Sequence, residues 1–386
     1  MKCNNCGGTL KYDIANYGLV CESCGSVKHL HRPEEGAAVS EFDLETALNS
    51  NGKDWGVSRR LVTCKSCGAN MLYAQEQMSG MCPFCGSAIV LSAEDADCGI
   101  APNAIIPFTL TKEQVAEKFY RWNKFALWSP EKFRRGKLLS DMTAIYIPYW
   151  VFETDSVTTY SVRFGYNVGS DENRKTNWYS KSGIMEKHIS DHIVCGSKKF
   201  FENRMLNSTV SFRSSELLPY DPEILAGMSA ELYTISAEDA WNLARTKGLR
   251  REIMESTRVY EKADYTENLK CSTEFSNIRL RYVLVPAWLA GCRYNGKVYN
   301  VVASGTNGRG NCNRPLSIPK LLLTPLLIIA YFMLGNYLGY GMIFFYLGIF
   351  GLFAALAIYV IVFMITFAKQ RDQERKDREK YYSQNK

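Results

Sequence analysis

The chain has 386 residues, 46% of them hydrophobic and 22% charged. That leaves room for two or three domains and excludes a disordered, collagen-like or mucin-like chain. Its formal net charge of +7 would suit a nucleic-acid binder, but the tail from Lys369 to Lys386 sets seven Lys/Arg against four Asp/Glu, so three of those charges sit in the last 18 residues.

Thirteen cysteines follow a start, MKCNNC, that lacks the features of a secretory signal, so they read as metal ligands or as thiols of an unusual intracellular protein. Eight of them form four CxxC pairs, Cys3/Cys6, Cys21/Cys24, Cys64/Cys67 and Cys82/Cys85, each followed by glycine (Gly7, Gly25, Gly68, Gly86). In both halves 14 residues separate the inner cysteines, and the second set begins 61 positions after the first. One module is therefore present twice, and each copy reads as a zinc ribbon. A CxxC turn offers two sulfurs to one ion, the glycine after it permits positive φ, and two such turns close a tetrahedral tetrathiolate site. So short a segment cannot bury enough apolar surface to fold, and a structural zinc supplies on the order of 10 kcal/mol. The expectation is two Zn2+, held by Cys3, Cys6, Cys21 and Cys24 and by Cys64, Cys67, Cys82 and Cys85. CPFC at Cys82 to Cys85 also looks like a thiol-redox motif, and four cysteines can hold an iron–sulfur cluster, but the symmetric double spacing is the zinc pattern. With four protein sulfurs per ion no coordination position is left for an activated water, so the sites read as structural or docking sites.

The ribbons are placed at 1–28 and 61–92, joined by a partly acidic linker at 29–60 with a short helix around Phe42 to Leu48. A domain at 100–316 follows. Thr111 and Gln114 make a capping box, after which Val115, Phe119, Trp122 and Ala126 share a helix face. Ser129-Pro130 starts a second short helix. The string IYIPYWVF opens a β-rich stretch from Thr143 to Phe164. TLTKEQ at Thr109 to Gln114 is echoed by TISAED at Thr234 to Asp239, 125 residues on, and IPYW at Ile147 to Trp150 by VPAW at Val285 to Trp288, 138 residues on. This reads as a duplicated helix-strand-hairpin unit of an α+β domain, with Asn295-Gly296 as a hairpin turn between Val283 to Arg293 and Val298 to Ala303. Pro148 and Pro286 are expected at strand starts or edges, and Trp150 and Trp288 in the core or an interface.

From Leu321 to Ala368 there are 48 residues without a charge. As one helix they would span about 72 Å against a hydrocarbon core of about 30 Å, which predicts two transmembrane helices at 320–338 and 342–368. Arg309, Arg314, Lys320 and the charged tail at 369–386 place both termini in the cytoplasm of a multi-pass membrane protein. The fold class is thus multidomain: two N-terminal β zinc ribbons, a central α+β domain and a C-terminal two-helix transmembrane hairpin.

Cys98, Cys195, Cys271, Cys292 and Cys312 stand alone and read as small buried hydrophobes. His188 and His192 with Cys195 could be written as a ligand set, but a structural reading is preferred, and His29 and His31 read as surface residues. Neither a P-loop, a nucleophile elbow, HExxH nor a dinucleotide fingerprint is present, and GTNGRGN at Gly305 to Asn311 reads as a turn. No catalytic residue is assigned, and the chain does not read as an enzyme.

The tandem ribbons (CNNCG with CESCG, CKSCGA with CPFCGS), IPF at Ile106 to Phe108, the KFYRW helix, YIPYWVF, VLVPAWLA, SGTNGRG and the C-terminal apolar run together resemble the YdjG-like bacterial zinc-ribbon membrane proteins. RGNCNRPLSIPK departs from that pattern in carrying Cys312 and few acidic residues. The resemblance implies a membrane-anchored adaptor or scaffold, set in the lipid bilayer, that recruits SPFH-domain (flotillin-like) and PspA-type proteins in envelope stress through protein-protein interaction. The alternative is a membrane-tethered zinc-ribbon nucleic-acid-binding protein, disfavoured because Lys and Arg are scattered among acids. Oligomeric state is left open.

Overall fold

The structure is a computed structural model, and it describes residues 1–34, 37–49, 55–56, 59–74, 79–90, 99–123, 129–130, 142–169, 174–202, 210–260, 264–294, 297–312, 317, 319–320, 323, 330–331, 333–335, 337–339 and 342. Met1–Pro315 forms one compact unit and Leu316–Lys386 another.

Two strands organise the first unit. β10 (Thr143–Val168) has 26 residues and β14 (Tyr265–Tyr294) has 30. They run antiparallel with Ile147 opposite Val285. Their middles are apolar at every position because both sheet faces are covered there, which is why IYIPYWVF and YVLVPAW show no alternation. Beyond Glu153, β10 alternates between buried and exposed residues, as a strand covered on one side should. β11 (Lys175–Cys195) pairs with the far side of β10, and β15 (Lys297–Ser304) with the end of β14. On one face Tyr146, Trp150, Phe152, Leu284 and Trp288 pack with Val115 and Phe119 of α2 (Lys112–Asn123), Trp241 of α4 (Ala237–Leu243) and Ile253 of α5 (Leu249–Tyr260). On the other, Ile145, Ile147, Tyr149, Val283, Val285 and Leu289 pack with Val62, Met71, Tyr73 and Phe84. The second cysteine-bearing segment is therefore one wall of the core.

The same local bonds are made twice. Trp150 Nε1 donates to the Ile235 carbonyl at 2.9 Å, and Trp288 Nε1 to the Leu110 carbonyl at 3.1 Å. Gly196 N donates to Pro148 O, and its carbonyl accepts from Thr234 N and Ile235 N; Gly305 N donates to Pro286 O, and its carbonyl accepts from Thr109 N and Leu110 N. β13 (Ser229–Glu231) lies parallel to β10 with Ile145 opposite Ser229, and β9 (Ala104–Ile105) parallel to β14 with Val283 opposite Ala104. Apart from the two glycines, each pair is related by the 125- or 138-residue offset of the sequence echoes, about a pseudo-dyad between Ile147 and Val285. Both helices start alike: Thr111 and Gln114 make their reciprocal bonds, and Ser236 caps α4 through Asp239 N.

Several expectations are corrected. The prolines lie inside the two central strands, not at starts or edges. Each is tolerated because its nitrogen faces the same side as its carbonyl, and Pro148 O and Pro286 O look into the gaps where one neighbouring strand ends and the next begins, so no ladder bond is lost. The expected α+β fold is predominantly β: eleven strands, including two from the second cysteine segment, join one sheet. The helix around Phe42 to Leu48 is α1 (Leu44–Asn49), with Phe42 and Asp43 already a strand, β4, against β14. Ser129 and Pro130 lie in a bend and not in a helix, and the residues at 131–141 that the helix would occupy, like the Asn295-Gly296 turn, fall outside the described residues.

The C-terminal two-helix transmembrane hairpin, and with it the multi-pass bacterial cell membrane localisation, is also corrected. Among the described residues no helix is long and apolar enough to cross a membrane. In the second unit Leu338 N closes a last helical turn on Leu334 O, and Gly339 then takes a φ of +74°, which right-handed helix does not accommodate. The expected span at 342–368 lies outside the described residues beyond Met342.

Candidate metal centres

The first site is built on three short antiparallel strands, β1 (Leu10–Asp13), β2 (Gly18–Cys21) and β3 (Val27–His29). The second is flanked by β5 (Arg59–Thr63) with β6 (Asn70–Ala74) and by β7 (Ser79–Met81) with β8 (Ala88–Val90). All four cysteine turns have one hydrogen-bond plan. The first cysteine's amide donates to the carbonyl five residues on (Gly8, Ser26, Ala69, Ser87), and its carbonyl accepts from the glycine amide of Gly7, Gly25, Gly68 or Gly86. Those glycines have φ between +67° and +71°, a region L side chains reach only with strain. At Gly7, Gly25 and Gly68 a Cβ would meet nothing within 4 Å, so conformation alone accounts for the residue.

The turns bring the eight sulfurs into two sets, Cys3, Cys6, Cys21, Cys24 and Cys64, Cys67, Cys82, Cys85, each with all sulfurs within 4.8 Å of one another. The closest cross-turn separations are 3.8 Å for Cys3–Cys24, 3.4 Å for Cys6–Cys21, 3.7 Å for Cys64–Cys85 and 3.6 Å for Cys67–Cys82. A disulfide needs about 2.05 Å, whereas four thiolates about 2.3 Å from one tetrahedral ion are about 3.8 Å apart. The donor set thus fits a metal ion at both places. Amides already point at the sulfurs, with Asn5 N 3.4 Å from Cys3 Sγ and Gly8 N 3.4 Å from Cys6 Sγ. Without a cation the sulfurs oppose one another's ionisation. Hydrogen bonds from Ser26 draw Cys24 down, while Cys6 is pushed up by Cys24 and Cys21 against the pull of the Gly8 amide. A bound cation lets all four ionise together.

The two sites differ in setting. Cys6 and Cys24 are exposed, whereas Cys64, Cys82 and Cys85 are buried in the core beneath the sheet. The first site's ribbon is held at its flank, by Tyr12 N donating to Ala226 O at 2.9 Å and by the Lys28–Glu223 ion pair. The second is locked from several sides. β6 adds to the main sheet through β13, with Leu72 opposite Ala230. Arg59 donates to the Leu225 and Met228 carbonyls, Lys199 to the Cys67 carbonyl, and Phe84 meets Phe200 edge-on. At Gly86 a Cβ would stand 2.5 Å from Gly291 O, so this glycine is also required by close approach.

No other metal-capable group of three or more His, Cys, Asp or Glu is found among the described residues. His188, His192 and Cys195 do not converge: His188 Nδ1 pairs with Asp155 at 2.7 Å, His192 turns toward Glu252, and Cys195 is buried beside Pro148 O. His29 and His31 are exposed. Cys271 and Cys312 are half-buried, and Cys98 lies outside the described residues. Gly305 to Arg309 forms the turn between β15 and β16 (Gly310–Cys312), with Ser304 N on Arg309 O at 2.8 Å. What sequence reasoning missed is the buried polar group under the second site. Glu231 is fully buried, accepts from Ser197 Oγ at 2.7 Å, and leaves Oε2 without a hydrogen-bond partner. A glutamate in the short string MSAEL gives no local signal of burial.

The chain is similar to the Uncharacterized protein YdjG of Bacillus subtilis (strain 168), 25% identical over 327 residues that cover 83% of this chain and 91% of that protein. The likeness supports a YdjG-like family. No family model matches, and no solved structure matches.

Proposed function

We propose that the chain is a zinc-ribbon adaptor that binds other proteins, with SPFH-domain (flotillin-like) and PspA-type proteins of envelope stress as its partners. The observation that carries the reading is the pair of closed tetrathiolate sites, one walled into the core and one with two of its four cysteines, Cys6 and Cys24, exposed. Zinc suits both, since thiolates in this tetrahedral spacing are its structural donor set. When bound, it cross-links two turns and supplies the folding energy that so short a segment lacks. The four sulfurs of each set fill its coordination sphere and leave no place for a substrate or an activated water. The partners' identity rests on the family resemblance, which the YdjG likeness supports.

The test is co-purification of the full chain, zinc-loaded, with a co-expressed SPFH-domain protein and, separately, a PspA-type protein. Wild type is expected to retain at least one of them, and a Cys3→Ser/Cys6→Ser variant to lose it while the core, read by tryptophan fluorescence, stays intact. Failure of the wild type to retain either protein, together with specific salt-dependent binding of DNA or RNA, would move the chain to the nucleic-acid reading.

A further inference from the structure

The pseudo-dyad supplies an internal control for what each half has added. The two helical segments begin with the same kind of cap and the same indole-to-carbonyl bond. In the first half α2 then runs as 12 residues of regular helix. In the second, α4 is broken by a π turn at Ala244–Gly248, with Leu249 N reaching back to Ala244 O, before α5 continues. The turn wraps His192: a Cβ on Gly248 would stand 2.3 Å from its ring. Such turns are rare in helices and concentrate where a protein does something beyond folding.

The π turn and the first turn of α5 carry Arg245, Lys247, Arg250 and Arg251, all exposed. Among the described residues none of the four makes an ion pair; the nearby Glu252 is taken by Lys187 at 2.8 Å. The π turn inserts one residue, so the count back is 125 before it and 126 after it: Arg245 falls on Tyr120 and Arg251 on Phe125, whereas Lys247 and Arg250 fall on Arg121 and Lys124. Arg245 and Arg251 thus belong to one half alone and extend a basic face that the shared architecture does not require. One helical turn beyond Arg250 on the same face stands Met254, 40% exposed. A cationic strip that runs into a flexible thioether suits a protein helix bearing both carboxylates and an apolar side chain. Phosphate contacts are made by cations and hydrogen-bond donors and would leave Met254 without a partner.

We infer that the π turn and the outer face of α5 form a docking surface for an acidic amphipathic segment of a partner protein, with carboxylates meeting Arg245, Lys247, Arg250 and Arg251 and an apolar residue on Met254. This deepens the adaptor reading and rests on it. Charge complementarity of this kind fixes orientation and accelerates encounter.

The test uses the full zinc-loaded chain and a fluorescein-labelled peptide of Glu-Glu-Leu-Ala repeats, followed by anisotropy. Reversal of three charges (R245E/R250E/R251E) is compared with an equal reversal at exposed sites elsewhere (K175E/K270E/K297E), with circular dichroism to verify folding. The patch variant is expected to bind at least about tenfold more weakly, the control within about twofold of wild type, and Met254→Ser to weaken binding with no change in charge. Equal losses in both reversals, or binding of an oligo-dT strand in place of the peptide, would overturn the inference. If the patch variant still retains the SPFH-domain or PspA-type partner while the cysteine variant loses it, this surface is wrong and the adaptor reading stands.

Discussion

Ile147 and Val285 stand directly opposite each other in the central antiparallel pair, and the bonds on either side of them repeat about that point. The arrangement lets two equivalent prolines, two equivalent tryptophans and two equivalent glycine turns share one sheet centre. Each tryptophan ties a long strand to the residue just before a helix cap, Ile235 ahead of Ser236 and Leu110 ahead of Thr111. Trp150→Phe and Trp288→Phe should therefore act alike. Each leaves a carbonyl without its donor, a buried one at Ile235 and a part-buried one at Leu110, and should destabilise the chain by about 1–3 kcal/mol. The two lie on opposite sides of the pseudo-dyad, so the double variant should approach the sum of the single effects. Urea unfolding of the three variants measures this.

Much of this was legible in the sequence, because the signals were local. The cysteine spacing specified two tetrathiolate sets, since a CxxC-Gly turn is determined within five residues. Thr111 and Gln114 announced their cap, and the strings around Ile147 and Val285 marked equivalent places. What was not legible depended on pairing at a distance. Nothing in NMLYA says that β6 will extend the main sheet through β13, and nothing around Cys64 says that its ribbon will cover Ile147. Pro148 was misjudged because a strand interior was assumed to be laddered on both sides throughout, whereas here two neighbours meet end to end beside it. The charge-free run after Lys320 was read as two membrane helices broken near Gly339; the break is there, in the left-handed region, but among the described residues no helix is long and apolar enough to cross a membrane.

The burial of Glu231 makes stability fall as pH rises. Desolvation pushes its carboxyl up to about 8 from an ordinary 4.5, against smaller pulls downward from Ser197 and Lys199. Between those values the folded chain holds a proton that the unfolded chain has released, so raising the pH favours unfolding, by about 1.4 kcal/mol per unit at the steepest. The contribution is complete below about pH 4.5 and lost as pH passes about 8. Glu231→Gln keeps an oxygen for Ser197 and removes the titration. It should flatten the decline and leave the variant more stable than wild type by on the order of 4 kcal/mol at pH 8. Chemical denaturation across roughly pH 5 to 8 measures the difference between the two slopes.

The two metal sites should empty at different rates. Cys6 and Cys24 are open to solvent, whereas Cys64, Cys82 and Cys85 are packed among core side chains. A chromogenic chelator should remove one equivalent of zinc quickly with little change in tryptophan signal. The second should leave slowly and together with loss of core packing, because its release needs β5 and β6 to part from the sheet. Native mass spectrometry along the time course should pass through a one-metal species, and Cys64→Ser should abolish the slow phase by unfolding that wall.

The glycines after the cysteine pairs are not equivalent, and alanine substitution should separate their roles. Gly7 has a φ of +71° and open space around its missing Cβ, so Gly7→Ala meets conformational strain alone, about 1–2 kcal/mol. Gly86 has nearly the same φ, +69°, but a Cβ there would stand 2.5 Å from the Gly291 carbonyl oxygen. The obstacle is backbone on both sides: a Cβ on Gly291 would in turn lie 2.7 Å from Gly86 N and 2.8 Å from Phe84 O. Neither strand can swing aside as a flexible side chain would. Relief requires the second ribbon to lift from β14, which loosens Phe84 from Phe200 and the metal site from the core. Gly86→Ala should therefore cost about 1–3 kcal/mol more than Gly7→Ala. It should also speed zinc release from the second site specifically, whereas Gly7→Ala leaves that phase unchanged. Thermal unfolding and zinc-release kinetics on the two variants decide it. Equal costs with unchanged slow release would mean that the contact between Gly86 and Gly291 does not hold the second ribbon against the sheet.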